Sequence, residues 1–233
     1  MTPAAHIDHL VVAAATLDEG VAWCEATLGV LPGPGGEHPL MGTHNRLLGL
    51  GSERFPRCYF EIIAIDPAAV PARARHQRRW FDLDDPALQT ALAKDGPRLV
   101  HWVARVPDAR AAVHALAAEP THIDRGHVLA ASRETPRGRL DWQITVRDDG
   151  QRLFYGALPT LIQWGSVHPA DGFEPSGLGL LGLEAAHPRP EVLHAALARV
   201  GLQDAIAVEA GAPNFKARLM TPKGPVTLES KGL

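Results

Sequence analysis

Apolar and polar positions alternate with period two along residues 5–14, AHIDHLVVAA. Ile7, His9 and Val11 share one face of an extended chain, and Asp8, Leu10 and Val12 share the other. The β-branched content predicts a strand with a histidine in the middle of an apolar face. A helical pattern follows in TLDEGVAWCEATLG, with Thr16 and Glu19 at capping-box spacing and Gly29 as the stop. Gly and Pro crowd LPGPGGEHPLMGTHN into a long loop, with room for a short strand near residues 35–38. NRLLGLG and RCYFEIIAI are strands separated by a turn at GSERFP.

The same order then recurs. RLVHWVARV reads as a strand and PDARAAVHALAAE as a helix capped by Asp108; GHVLAASRE, RLDWQITVRDDG and LPTLIQWG are strands. A shortened pass closes the chain. GLLGLEAAH is a strand, and RPEVLHAALARVG is a helix with Pro190 in its first turn and Gly201 at its end. AIAVEAG, FKARLMTP and PVTLES are strands. The repeat lies in the pattern and not in the letters. It predicts an α+β protein of βαβββ modules at residues 1–66 and 98–169, a connecting segment at 67–97, and a third, ligand-poor βαβββ-like module at 170–233. The connecting segment carries a basic cluster, Arg73, Arg75, Arg78 and Arg79, which reads as a solvated surface or as the rim of an anion site.

Superposing the passes brings chemistry into view. The first strand of each of the first two passes carries a histidine, His9 and His101. The last strand carries Glu61 in one and Gln163 in the other. A histidine alone on such a strand is a buried, hydrogen-bonded ring. An ionised Glu in an apolar strand is costly unless a cation or a donor meets it. Four polar, metal-competent side chains in a shared register are hard to explain as accident.

Bulk properties exclude more than they identify. The 233 residues are 45% hydrophobic and 21% charged, with a formal charge of −3. A pI near 6.4 gives no general attraction to nucleic acid or an anionic membrane. No apolar run approaches the roughly 18 residues that cross a bilayer. The start, MTPAAHIDH, has no basic region followed by an apolar core. Cys24 and Cys58 lack a redox or metal spacing and read as reduced, buried residues, so a cytoplasmic setting is expected.

Paired βαβββ modules with a candidate ligand on the first and last strand of each resemble the vicinal oxygen chelate superfamily. That group contains glyoxalase I, extradiol dioxygenases, methylmalonyl-CoA epimerase and the fosfomycin and bleomycin resistance proteins. Within it, residues 5–168 are similar to bacterial glyoxalase-like domain proteins, most specifically in GTHN and LIQW. The resemblance implies two sheets joined into a half-open barrel around a cavity. His9, Glu61, His101 and Gln163 would converge there on one divalent ion: Zn, Ni, Co, Mn or Fe(II). Such an ion would act as a Lewis acid on vicinal oxygens of a small oxygenated metabolite. That makes the expected activity a metal-dependent lyase or isomerase reaction. The competing class is a protein that binds or sequesters a small molecule in the same cavity. An Fe(II) dioxygenase built on His9, His101 and Glu61 ranks below both.

Other expectations are attached to this reading. Glu61 and His44 are the catalytic candidates, with His44 able to shuttle a proton. His44 and Asn45 would contact substrate, and Trp142 and Trp164 would wall the cavity. The third module has no histidine in the register of His9 and His101, so it reads as scaffold. Its open sheet face suggests a homodimer through the C-terminal module.

Overall fold

The computed structural model describes residues 4–135 and 138–232. The first module comprises β1 (His6–Ala13), α1 (Leu17–Leu28), β2 (Glu37–His38), β3 (Thr43–Gly49) and β4 (Tyr59–Ile65). The connecting segment contains α2 (Pro86–Asp95). The second module comprises β5 (Arg98–Arg105), α3 (Ala109–Ala117), β6 (His127–Thr135), β7 (Gly138–Val146) and β8 (Thr160–Trp164). These strands form one curled sheet in the order β2-β3-β4-β1-β5-β8-β7-β6. Each module pairs its first strand with its last in parallel, and β1 joins β5 antiparallel at the centre.

The expected caps are in place. Thr16 Oγ1 accepts from Glu19 N–H at 3.2 Å, and Gly29 closes α1 with a φ of 79° that a side chain would strain. Asp108 caps α3 through Ala111 N–H. Leu17, Gly20, Cys24 and Leu28 form the buried stripe of α1, on the convex side of the sheet. Both cysteines are free and buried, and burial pushes the Cys24 thiol up to about 12.

The third unit comprises β9 (Gly179–His187), α4 (Pro190–Arg199), β10 (Ala207–Ala210), β11 (Asn214–Thr221) and β12 (Gly224–Glu229). Its element order is the expected one, but its strand order is β10-β9-β11-β12, so β10 takes the place beside β9 that a last strand holds in the other modules. It is a separate sheet, and it packs on the convex side of the large one. Phe215, Ala217 and Leu219 alternate with outward Lys216, Arg218 and Met220, and the inward set joins the core that holds Trp102 and α1. Trp102 stacks on Phe215 at 6.4 Å. Burial of each such side chain contributes about 1.5–3 kcal/mol. Lys223 Nζ donates to the carbonyls of Glu25 and Ala26 in the last turn of α1, where a cation also complements the helix dipole.

The sheet face that suggested a homodimer packs against the chain's own β5, α1 and α3 layer, while Leu181 and Met220 of the same module are exposed. Among the described residues, no helix is long and apolar enough to cross a membrane.

The connecting segment places Trp80, Phe81, Leu83, Leu88 and Leu92 in the core on the concave side. Of its basic cluster, Arg73 pairs with Asp148 and Arg79 with Asp84, while Arg75 and Arg78 are exposed. None of the four lines the cavity.

Candidate functional site

The site begins with a departure from strand alternation. β1 changes register against β5 between Ile7 and His9, a one-residue bulge at Asp8. Ile7, Leu10 and Val12 pack in the convex-side core, Val11 and Ala13 in the concave-side core. The bulge turns Asp8 to the side of His9, so the expectation that Ile7 shares His9's face gives way. Asp8 Oδ1 lies 2.7 Å from His9 Nδ1, and Oδ2 accepts from Trp164 Nε1 and meets His168 Nε2, both at 3.0 Å. Burial opposes the charge on Asp8, but the bonds to His168 and His9 outweigh it and hold the carboxyl below its usual range. An ionised Asp8 holds the His9 proton on Nδ1 and turns Nε2 towards the sheet's concave side.

Glu61 stands opposite that nitrogen. On β4, Tyr59, Glu61 and Ile63 face the concave side, and Glu61 pairs in register with Val11. Glu61 Oε2 is 3.6 Å from His9 Nε2, beyond a hydrogen bond, and only 5% of each residue is exposed. Tyr59 stacks on the His9 ring at 4.4 Å. Asn45 Nδ2 donates to Glu61 Oε1 at 2.6 Å and reaches His38 Nε2 at 3.4 Å, while its Oδ1 accepts from Gly36 N–H. Nε2 of His38 is thus the acceptor, and Nδ1 faces the Thr43 hydroxyl at 3.0 Å. Burial pushes His38 down to about 4, with Glu61 partly opposing. The result is a chain of contacts, Asp8–His9, then Glu61–Asn45–His38, with a gap between His9 and Glu61.

The second module repeats the geometry without the chemistry. β5 also slips by one residue before its histidine, placing Val100 with Val103 in the concave-side core. The extra residue is therefore Val100 where the first module has Asp8. Val103, two beyond His101 as Val11 is two beyond His9, pairs with Thr160. Thr160, not Gln163, occupies the position of Glu61. His101 Nδ1 bonds Gly156 O at 3.0 Å, and Nε2 accepts from Thr160 N–H at 3.0 Å. Burial lowers His101 well below its ordinary value. Buried Arg125 closes this half, donating to Pro159 O and the Thr160 hydroxyl.

Three sequence-based placements change accordingly. Gln163 lies on the convex face, where Oε1 accepts from Ala109 N–H at the start of α3. His44 pairs with Ala64 of the convex-side core and so points away from Glu61, because alternation sends only Asn45 inward. His101 spends both ring nitrogens within the chain, so the His9, His101 and Glu61 triad of a dioxygenase is not assembled. Of the expected metal set, only His9 and Glu61 face each other. Among the described residues, no group of three or more His, Cys, Asp or Glu is arranged to hold a metal ion. The four-donor site does not fit these side chains.

A cavity of about 1160 Å³ opens beside this cluster. Leu47, Trp142, Leu140, Ile144 and Phe173 are among its walls, and His38 and His168 connect it to the polar chain. Trp142 lines it, whereas Trp164 donates to Asp8. Sequence reasoning missed Asp8, His38, Tyr59 and His168. Asp8 had a legible signal, a carboxylate beside a strand histidine, which period-two alternation assigned to the wrong face.

The glyoxalase-like domain family matches residues 7–201, and the chain belongs to that family. No curated protein matches the chain. Among solved structures, a hypothetical protein from Staphylococcus aureus shares 13% identity, with 97% of this chain and 85% of that one covered and a TM-score of 0.57. A Streptomyces coelicolor methylmalonyl-CoA epimerase in complex with 2-nitronate-propionyl-CoA shares 19%, covering 71% and 99%, at 0.42. The Mycobacterium tuberculosis methylmalonyl-CoA epimerase shares 16%, covering 68% and 86%, at 0.37.

Proposed function

We propose that this member of the glyoxalase-like domain family is a lyase or isomerase that moves a proton on a small oxygenated metabolite, with Glu61 as the base. The observation that carries this reading is the 3.6 Å gap between Glu61 Oε2 and a His9 Nε2 whose tautomer Asp8 fixes. A substrate seated there presents a C–H to Glu61 and its adjacent oxygen to His9. Glu61 takes the proton, and the electron pair shifts onto the substrate oxygen. His9, when protonated, donates a hydrogen bond to that oxygen, with Asp8 balancing the imidazolium. The proton then returns to a different carbon or face, or a leaving group departs. Asn45 holds the carboxylate in place through Oε1, leaving Oε2 to react.

No step is routed through a metal, because the donors that would hold it do not converge. A second reading, sequestration without turnover, is favoured by a cavity that exceeds the roughly 300–1,000 Å³ of ordinary ligand sites. One experiment separates the two. Solvent deuterium incorporation is followed by mass spectrometry for a panel of 2-oxo and dicarbonyl compounds, with Glu61→Gln as control. Exchange that falls by about 10²–10⁴ in Glu61→Gln supports the enzyme. Exchange that survives the substitution removes Glu61 as base. Saturable binding with no exchange supports sequestration.

A further inference from the structure

On the wall of the cavity formed by β6 and β7, one side chain is out of character. Leu129, Ala131 and Arg133 of β6 share the inward face, opposite Ile144, Trp142 and Leu140 of β7. Arg133 is thus the single cation in a stripe of apolar residues, and it is half-buried. Its guanidinium makes no hydrogen bond or ion pair with another described residue. A half-buried guanidinium without a partner among the described side chains, set against apolar walls, is placed to receive an anion. The carboxylates that line the same cavity, Glu37, Glu134, Asp171 and Glu174, are all exposed, and Asp171 is engaged by Arg57 at 2.5 Å.

Arg133 also lies beside the reactive chain. A side chain at Gly36 would overlap its guanidinium, and Gly36 N–H donates to Asn45, which holds Glu61. Its charge is within electrostatic reach of His38 and Tyr59.

We propose that the cavity takes an amphipathic carboxylic acid, with its carboxylate on Arg133 and its apolar body against Leu129, Leu140, Trp142 and Ile144. The assignment of the oxygenated carbon next to that carboxylate as the reacting end rests on Glu61 being the base. The binding mode does not. A planar guanidinium grips a carboxylate through two parallel N–H bonds, which fixes the head of the molecule near Glu61. The apolar wall then provides affinity in proportion to the buried chain.

Titration calorimetry with decanoate, decanol and acetate tests this directly on the wild-type chain, Arg133→Gln and Glu61→Gln. Decanoate is expected to bind, with decanol about tenfold weaker and acetate below detection. Arg133→Gln should weaken decanoate by about tenfold and leave decanol unchanged. Glu61→Gln should still bind decanoate, no more weakly than the parent, and still prefer it to decanol. Equal affinity for decanoate and decanol, equal losses of both in Arg133→Gln, or no binding of any probe would overturn the proposal. Full exchange activity in Glu61→Gln with decanoate binding intact would remove the base and leave the carboxylate site standing.

Discussion

Asp8 and His9 are consecutive residues of one strand, yet both face the concave side of the sheet, with the carboxylate 2.7 Å from the imidazole. A regular strand separates such neighbours onto opposite faces. The bulge at Asp8 is what converts an ordinary buried histidine into an oriented one.

Asp8→Asn keeps the size and removes the charge. The amide can accept from His9 or from Trp164 and His168, but its NH₂ then meets another donor. Turnover should fall on the order of 10²-fold, by analogy with other oriented histidines. Stability should drop by about 1–3 kcal/mol, read from urea denaturation. Unchanged kinetics would mean that His9 does not depend on Asp8.

Asn45→Asp places a second carboxylate beside Glu61 and deletes the donor that steadies it, while Gly36 N–H keeps its acceptor. Like charges at this distance favour the protonated form of one partner. The acidic limb of the pH–rate profile should move upward by about one unit or more. A limb that stays in place would show that Glu61 does not govern it.

His38 links stability to acid. Its ring titrates near 6.5 when unfolded and at about 4 in the folded chain. Between those values the unfolded chain takes up a proton that the folded one refuses, so stability falls as pH drops through this window. Because the ring also borders the cavity, the loss is on the order of 1 kcal/mol. His38→Gln should flatten the stability–pH curve over that range in thermal melts. An unaltered curve would assign the acid sensitivity elsewhere.

Gln163→Ala tests the corrected register. Gln163 serves the α3 N-terminus, so its removal should cost about 1 kcal/mol of stability with no change in any divalent-ion affinity. Loss of a bound ion, measured by elemental analysis after dialysis, would put Gln163 back in the ligand set.

Phe215→Ala examines the coupling of the two sheets. Deleting this ring from a shared core should cost about 3–5 kcal/mol and lower a single cooperative transition. Two resolved transitions would show the C-terminal sheet unfolding on its own.

Much of the architecture was legible from period and punctuation. Capping residues such as Thr16 and Asp108, the stop at Gly29 and the alternation of Phe215, Ala217 and Leu219 are local signals. Local backbone preference reads them without knowledge of the rest of the chain. The pairing of His9 with Glu61 was also legible, because an ionisable residue in an apolar strand carries its own cost.

What the tertiary structure decided was register. Letter spacing equated Gln163 with Glu61, but strand pairing puts Thr160 there, three residues away. A bulge moved Asp8 to the concave face beside His9 and Glu61, and alternation moved His44 off it. A one-residue slip flips a side chain across a sheet, and the interactions that select a register come from neighbouring strands distant in sequence. The same long-range pairing gave the first module a carboxylate at its bulge and the second a valine. That difference leaves the carboxylate–histidine pair in one half of a fold built of two.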